Sequence, residues 1–240
     1  EQAKDFNDKR AKLGTDAHKI AEIIFSNPSL VYQQEILDEI ERLVLAGEIE
    51  FKTDFYKKNK GGRSKTSGGI RSETVQYFLD LRRHLQSVYG PKTKFLTERS
   101  FELNDLNTDA TYGSMTSRLC GTIDLIVVDE DGEVHLYDFK SSTHDYNKWP
   151  PFKKRLTAIQ LYTYKKMLES FKVFRVKSLH SVALTFEVES ERYDQKDSVF
   201  PYEYKGIKKF NKDRLREHVN NMDGVIEDRV KNNISIWFKD

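Results

Sequence analysis

The segment GTIDLIVVD (121–129), EDG (130–132) and EVHLYDFK (133–140) constrains this chain more than any other. Two apolar runs of period two flank a glycine-bearing turn, the pattern of a β-hairpin with a buried face. Alternation places Asp124 on the face of Ile126 and Val128, and Asp138 and Lys140 on the face of Val134 and Leu136. A three-residue loop with a left-handed Gly132 pairs Asp129 with Glu133, Ile126 with Leu136 and Val128 with Val134, and so sets Asp124 against Asp138. A two-residue Asp131-Gly132 turn would set Asp138 against Leu125 instead. The first register is adopted because it matches apolar with apolar. Carboxylates directly opposed at ~5 Å repel by roughly 3 kcal/mol at an effective dielectric of ~20. A cation or a shared proton must offset this. Lys140 can be that cation, in a salt bridge that merely neutralises the sheet, or a divalent ion can be, since Mg²⁺ and Mn²⁺ favour such oxygen ligands.

Around the hairpin the period changes. Ala17, Ile20, Ala21, Ile24 and Phe25 follow helical spacing, and a helix is expected from near Thr15 to Asn27-Pro28. Ser29 can cap a second helix carrying Val31, Ile36, Ile40, Leu43 and Val44 up to Gly47. A third is expected from about Arg71 to Tyr89, ended by Gly90-Pro91. Between them KKNKGGRSKTSGG (57–69) carries five basic residues, no acid and two glycine pairs. It reads as a basic loop, either solvated or in contact with a nucleic-acid backbone through residues such as Arg63 and Lys65. It is not a phosphate-cradling P-loop, because Ser64 stands before Lys65 where glycine is needed.

Strands are expected at Phe95 to Leu103, Leu119 to Asp129, Val134 to Lys140 and Leu179 to Val188. Helices are expected at Phe152 to Phe171 and around Arg214 to Val230. The chain reads as one α/β domain over 1–240, with a helical part at 1–92, a core at 93–188 and a C-terminal extension at 189–240. Its 40 Lys and Arg against 38 Asp and Glu name no partner by net charge. A single cysteine, Cys120, excludes an intrachain disulfide, a multi-thiolate zinc site and a four-Cys iron-sulfur cluster. With no apolar run of membrane-spanning length and no signal-peptide pattern, a reducing, cytoplasmic setting is expected. The start at Glu1 leaves a preceding segment open.

Ile123-Asp124, thirteen residues, then Asp138-Phe139-Lys140 resembles the PD-(D/E)XK nuclease signature, with Ile123 in place of proline. Gly14-Thr15-x-x-His18 upstream, Gly121 three residues before Asp124, and Gln160-x-x-x-Tyr164 downstream stand in the expected order. Together they resemble the RecB-type branch, which includes helicase-associated nucleases, lambda exonuclease relatives and CRISPR adaptation nucleases. This chain lacks the cysteines for the cluster that several members carry. The resemblance covers roughly residues 14 to 170 and implies a restriction-endonuclease-like core, a mixed sheet flanked by helices in αβββαβ order. It also implies Mg²⁺- or Mn²⁺-dependent hydrolysis of DNA, with His18, Asp124, Asp138 and the Phe139 carbonyl as metal ligands. Gln160 and Tyr164 would hold the strand or the site geometry. Lys140 would orient the attacking water and stabilise charge rather than act as a base, because neighbouring carboxylates favour its charged form.

Other candidates keep two readings. His18 lies beside an apolar stripe and could be structural; Gln160 sits in the row Leu156, Gln160, Tyr164, Met167, Phe171, and could bond the sheet from within the core. Glu98 either joins the site or pairs with Arg99 at the surface. Ser141 and Ser142 could meet a phosphate or end the strand. Lys153, Lys154 and Arg155 open the Gln160 helix against its dipole, a cost that phosphate binding would justify. His84, His135, His144 and His180 lack ligand spacing, and His135 should face away from Asp138. The reading is a sequence-nonspecific exonuclease of recombination, repair or phage DNA processing, with DNA and a helicase or other recombination protein as partners and no membrane. An endonuclease on the same core and a silent nucleic-acid-binding module are the alternatives. Polarity, strandedness and oligomeric state have no sequence signal.

Overall fold

The computed structural model describes residues 2–27, 33–49, 70–103, 119–172, 174–192, 202–210, 218–236 and 238. Helices α1 (Gln2–Ser26), α2 (Gln33–Leu45) and α3 (Ile70–Tyr89) precede strands β1 (Lys94–Leu103), β2 (Leu119–Val128) and β3 (Val134–Ser142). Helix α4 (Pro151–Ser170), strands β4 (Val176–Arg192), β5 (Tyr202–Phe210) and β6 (Val219–Asn221), and helix α5 (Asp228–Ile236) follow. The sheet runs β1-β2-β3-β4-β5, with β6 on β4. β1, β2 and β3 are antiparallel neighbours. Contacts from β3 to the β4 end advance together, Val134 to Arg175, His135 to Ser178 and Tyr137 to His180, so these two strands run parallel and the sheet is mixed. The αβββαβ order expected from the sequence is the order found.

The chain divides into two compact units. The first comprises Glu1–Arg83, Lys140–Asp145 and Ala183–Arg216. Its core joins Ile20, Ile24 and Phe25 of α1 to Ile36, Ile40 and Leu43 of α2 and Phe78 of α3, with the Phe25 and Phe78 rings edge to face at 6.4 Å. The Arg82 guanidinium, buried in this core, donates to the carbonyl of Ile24. α1 starts far before Thr15. Residues 2 to 13 contain no Gly or Pro and are mostly good helix formers, the helix carries on through Gly14, and Thr15 bonds back to the Ala11 carbonyl as an interior residue instead of capping. α2 ends as expected, with Gly47 at φ 76 and the Glu48 N–H returning to the Leu43 carbonyl. Ser29 and Val31 lie outside the described residues, as does the basic loop.

The second unit comprises His84–Phe139, Tyr146–Val182 and Glu217–Asp240. Ile126, Val134 and Leu136 of the hairpin form its core with Ala158, Leu161 and Leu168 of α4, Leu179 of β4, and Met222 and Ile226. The hairpin register is the one that apolar matching selects: Val128↔Val134 and Ile126↔Leu136 are partners, and Asp129 N–H donates to the Glu133 carbonyl across a loop with Gly132 at φ 81. Of the helix expected around 214–230, residues 219–227 are not helical, residues 228–230 open α5, and residues 214–217 lie outside the described residues. Val219 to Asn221 pairs with β4, the Met222 N–H donates to the Leu179 carbonyl, and a turn at 223–226 precedes α5. The spacing of Val219, Met222 and Val225 mimics a helix, but Asn220, Asn221 and Gly224 are poor helix formers, and edge pairing wins. β5 is a strand in the C-terminal extension, where the sequence reading expects none.

On the hairpin face away from this core, His135 does turn away from Asp138 and enters a polar network. The donors run one way: His180 Nε2 to Ser178 Oγ at 2.7 Å, Ser178 to His135 Nδ1 at 2.7 Å, and His135 Nε2 to Asp129 Oδ2 at 3.2 Å. Tyr89 stacks on His135 and Tyr137 on His180, and the two phenols bond at 2.8 Å. Burial, and next the neighbouring His135, push the His180 imidazole down to about 4. Burial alone would raise the Asp129 carboxyl, but bonds from His135 and from the Glu133 and Asp131 amides hold it below its usual value. These histidines are structural, as their spacing suggested.

Candidate active site

Asp124 and Asp138 stand where the hairpin opens. Pairing between β2 and β3 extends from Val128↔Val134 to Leu125↔Tyr137. The next step in that register is Asp124 opposite Asp138, and there the ladder stops. The Phe139 N–H donates instead to Oδ2 of Asp124 at 2.6 Å, a short charge-assisted bond that fixes the carboxylate at the end of the ladder. The Asp138 side chain is only 2% exposed, and the Phe139 ring is buried as well.

On the other edge of β2, Thr97 pairs with Leu125 and Arg99 with Ile123, which sets Glu98 across from Asp124. Glu98 has φ 46, a left-handed backbone inside a strand that costs a residue other than glycine on the order of 1–3 kcal/mol. A carboxylate oxygen of Glu98 lies within 4.8 Å of one of Asp124. The strands also change facing here. Ile123 and Ile126 share the core of α4, although strict alternation puts them on opposite faces. The face count that placed Asp124 beside Ile126 and Val128 therefore does not carry across Asp124 itself. Glu98 is thus brought beside Asp124, as one of its two readings has it. Only its backbone angle marks it, and no sequence pattern encodes that for glutamate.

The donors gathered here are carboxylate oxygens, the set that hard divalent ions prefer; oxygens on opposite sides of one Mg²⁺ are ~4.2 Å apart, a span Glu98 and Asp124 can meet. The fit is to a hard divalent ion rather than to a soft metal. Lys140 lies two residues past Asp138 on β3 and is half-buried.

Tyr164 and Gln160 come from α4. The Gln160 amide donates to the Tyr164 hydroxyl at 3.0 Å, so its partner is in its own helix and not across the core. The Tyr164 ring lies over Gly121, where an added Cβ would come within 2.5 Å of Cε1. Glycine three residues before Asp124 thus lets α4 close on β2. The stripe expected on α4 is only partly buried: Thr157, Ala158, Leu161, Met167 and Leu168 face inward, while Leu156 is exposed. A second glycine acts in the first unit. A Cβ on Gly14 would lie 2.9 Å from Ser141 Oγ, so α1 crosses the end of β3 at close range, and half-buried His18 is one helical turn further along α1. Ser142 accepts the His144 N–H at 3.2 Å and ends the strand. The Lys153 ammonium sits 3.8 Å over the Trp149 ring and that of Lys154 4.5 Å over Tyr146. Arg63 and Lys65 lie outside the described residues.

Residues 2–235 match the model of the PD-(D/E)XK nuclease superfamily. No curated protein matches the chain. Among solved structures, the crystal structure of SSO0001 is similar at 14% identity with a TM-score of 0.30, covering 69% of this chain. This chain spans 60% of that one. No described helix is long and apolar enough to cross a membrane. With a family match over nearly its whole length, a mixed restriction-endonuclease-like sheet and carboxylates at the motif positions, the chain belongs to the PD-(D/E)XK nuclease superfamily of metal-dependent phosphodiester hydrolases.

Proposed function

We propose that this nuclease is a sequence-nonspecific DNA exonuclease of recombination, repair or phage DNA processing, working with a helicase or other recombination protein in the cytoplasm, through one domain spanning 1–240. The observation that carries its chemistry is the acidic group at the end of the β2–β3 ladder, where Glu98 is held at φ 46 beside Asp124. Asp124, Asp138, the Phe139 carbonyl and His18 would hold Mg²⁺ or Mn²⁺, with Glu98 as a further ligand. Within a strand the N–H and C=O of one residue point to the same edge, so the Phe139 carbonyl opens toward β2, as its N–H does. When bound, the ion supplies charge neutralisation on the phosphoryl oxygens and a more acidic water. Lys140 would orient the attacking water and carry positive charge to the developing oxyanion. Gln160, tied to Tyr164, and Ser141 would bond the scissile strand, and Lys153, Lys154, Arg63 and Lys65 would supply cations along its backbone.

Cleavage of end-labelled linear and closed circular DNA in Mg²⁺, Mn²⁺ or EDTA tests the reading, comparing wild type with Asp138→Ala and Lys140→Ala. Loss of linear DNA that needs metal and vanishes in both variants, with circles spared, is the expected result. Cut circles would make the protein an endonuclease. Binding without cleavage under either metal would make it a silent nucleic-acid-binding module.

A further inference from the structure

Phe152, Leu156, Gln160 and Tyr164 follow one i, i+4 ridge of α4 over ~18 Å. At its far end Tyr164 lies on Gly121 of β2, three residues before Asp124. At its near end Phe152 is 67% and Leu156 61% exposed. Scattered apolar side chains on a surface need no explanation, but an adjacent phenyl and isobutyl in a stretch that carries charge of one sign do. From Tyr146 to Leu168 the sequence has six Lys and Arg and no Asp or Glu. Lys148 and Arg155 are exposed beside the ridge, and Lys153 and Lys154 lie over aromatic rings. Three of these cations open the helix against its own dipole, an arrangement that bound anions relieve. An acidic protein could satisfy the cations, yet only a nucleic acid offers alternating phosphates and flat apolar faces on a ridge that leads to the carboxylates. In a duplex those faces are covered by their neighbours; in a single strand or a frayed end they are open.

We propose that Phe152 and Leu156 form a platform on which unpaired bases stack, with Lys148 and Arg155 on the adjoining phosphates, so that the enzyme engages single-stranded or frayed DNA. This rests on the nuclease reading of the Asp124 site. Anisotropy titrations in EDTA would compare a labelled strand of about 16 nucleotides, an abasic strand of equal length and a blunt duplex. Wild type should bind the base-bearing strand about tenfold more tightly than the abasic one, the lower range of stacking on one or two side chains. In Phe152→Ala/Leu156→Ala that preference should disappear while the dependence on salt persists. Phe152→Trp should keep it, which separates stacking from misfolding. Lys148→Gln/Arg155→Gln should weaken both strands equally and lower the salt slope by about 1 to 1.5. An unchanged preference in the double alanine variant, or none in wild type, overturns the platform. A separate Mn²⁺ cleavage arm isolates the two claims: base preference without cleavage sinks the nuclease reading and leaves the platform, and cleavage without base preference does the reverse.

Discussion

The Phe139 N–H donates to Asp124 Oδ2 at 2.6 Å, one step past the last β2–β3 backbone pair at Leu125↔Tyr137. A side chain has taken a donor that a carbonyl of the neighbouring strand would otherwise accept. Backbone that would have closed the sheet therefore holds a carboxylate in place, and the strands part where Asp138 follows. Preorganisation of this kind means that the acidic group need not rearrange to receive charge.

Charge and hydrogen bonding at Asp124 are separable. Asp124→Asn keeps an acceptor for Phe139 and should alter unfolding free energy by no more than about 1 kcal/mol, whereas Asp124→Ala leaves a largely buried N–H unsatisfied and should cost about 1–3 kcal/mol. Both should lower metal-dependent cleavage by about 10²-fold or more. Urea unfolding beside steady-state cleavage would check this. Equal stability losses in the two variants would remove the argument for the bond.

Gly121→Ala brings a methyl within 2.5 Å of the Tyr164 ring. The expected cost is roughly 1–3 kcal/mol, because either the ring or the β2 backbone must move. Tyr164→Ala opens the space, so the double variant should show a favourable coupling of about 1 kcal/mol in a double-mutant cycle of thermal unfolding. Additive losses would mean that the ring and Gly121 do not share the contact.

Much of this geometry was legible from the residues because alternation and turn chemistry are local. Gly132 and the match of Val128 with Val134 and Ile126 with Leu136 were enough to give the register. Gly14 and Gly121 stood in the motif, but that each admits a neighbour, Ser141 or Tyr164, depends on contacts that no spacing records. Glu98 keeps two readings in the sequence because its backbone angle is imposed by tertiary structure. Thr15 and residues 219–227 depart from expectation for a shared reason. Helical spacing and capping residue types are weak signals when the neighbouring sequence extends a helix, as before Thr15, or when a strand edge competes, as at Val219.

Acid should weaken the fold through His180. Its imidazole is held down to about 4 by burial and by His135. An unfolded histidine titrates near 6.5, so between about 6.5 and 4 the unfolded chain binds a proton that the folded chain refuses. Stability is thus unaffected by His180 above about pH 7 and declines as pH falls, by about 2 kcal/mol at pH 5. Asp129, whose carboxyl is held low, adds its own loss only at more acid pH. Urea unfolding at pH 7.5 and pH 5 should show the decline in wild type and a much flatter dependence in His180→Asn.

Glu98→Gly separates strain from ligation. At φ 46 a glycine rests without the steric cost that glutamate bears, so the metal-free protein should gain about 1 kcal/mol. The same change removes a carboxylate whose oxygen lies within 4.8 Å of Asp124. Mn²⁺ should raise the thermal midpoint of wild type and raise it much less in the variant, since stabilisation by a ligand follows its affinity for the folded state. Glu98→Gln keeps the strain and loses the charge, so it should lose the Mn²⁺ response without the gain in metal-free stability. A full Mn²⁺ response in Glu98→Gly would take Glu98 out of the metal site and leave its backbone angle a feature of the strand alone.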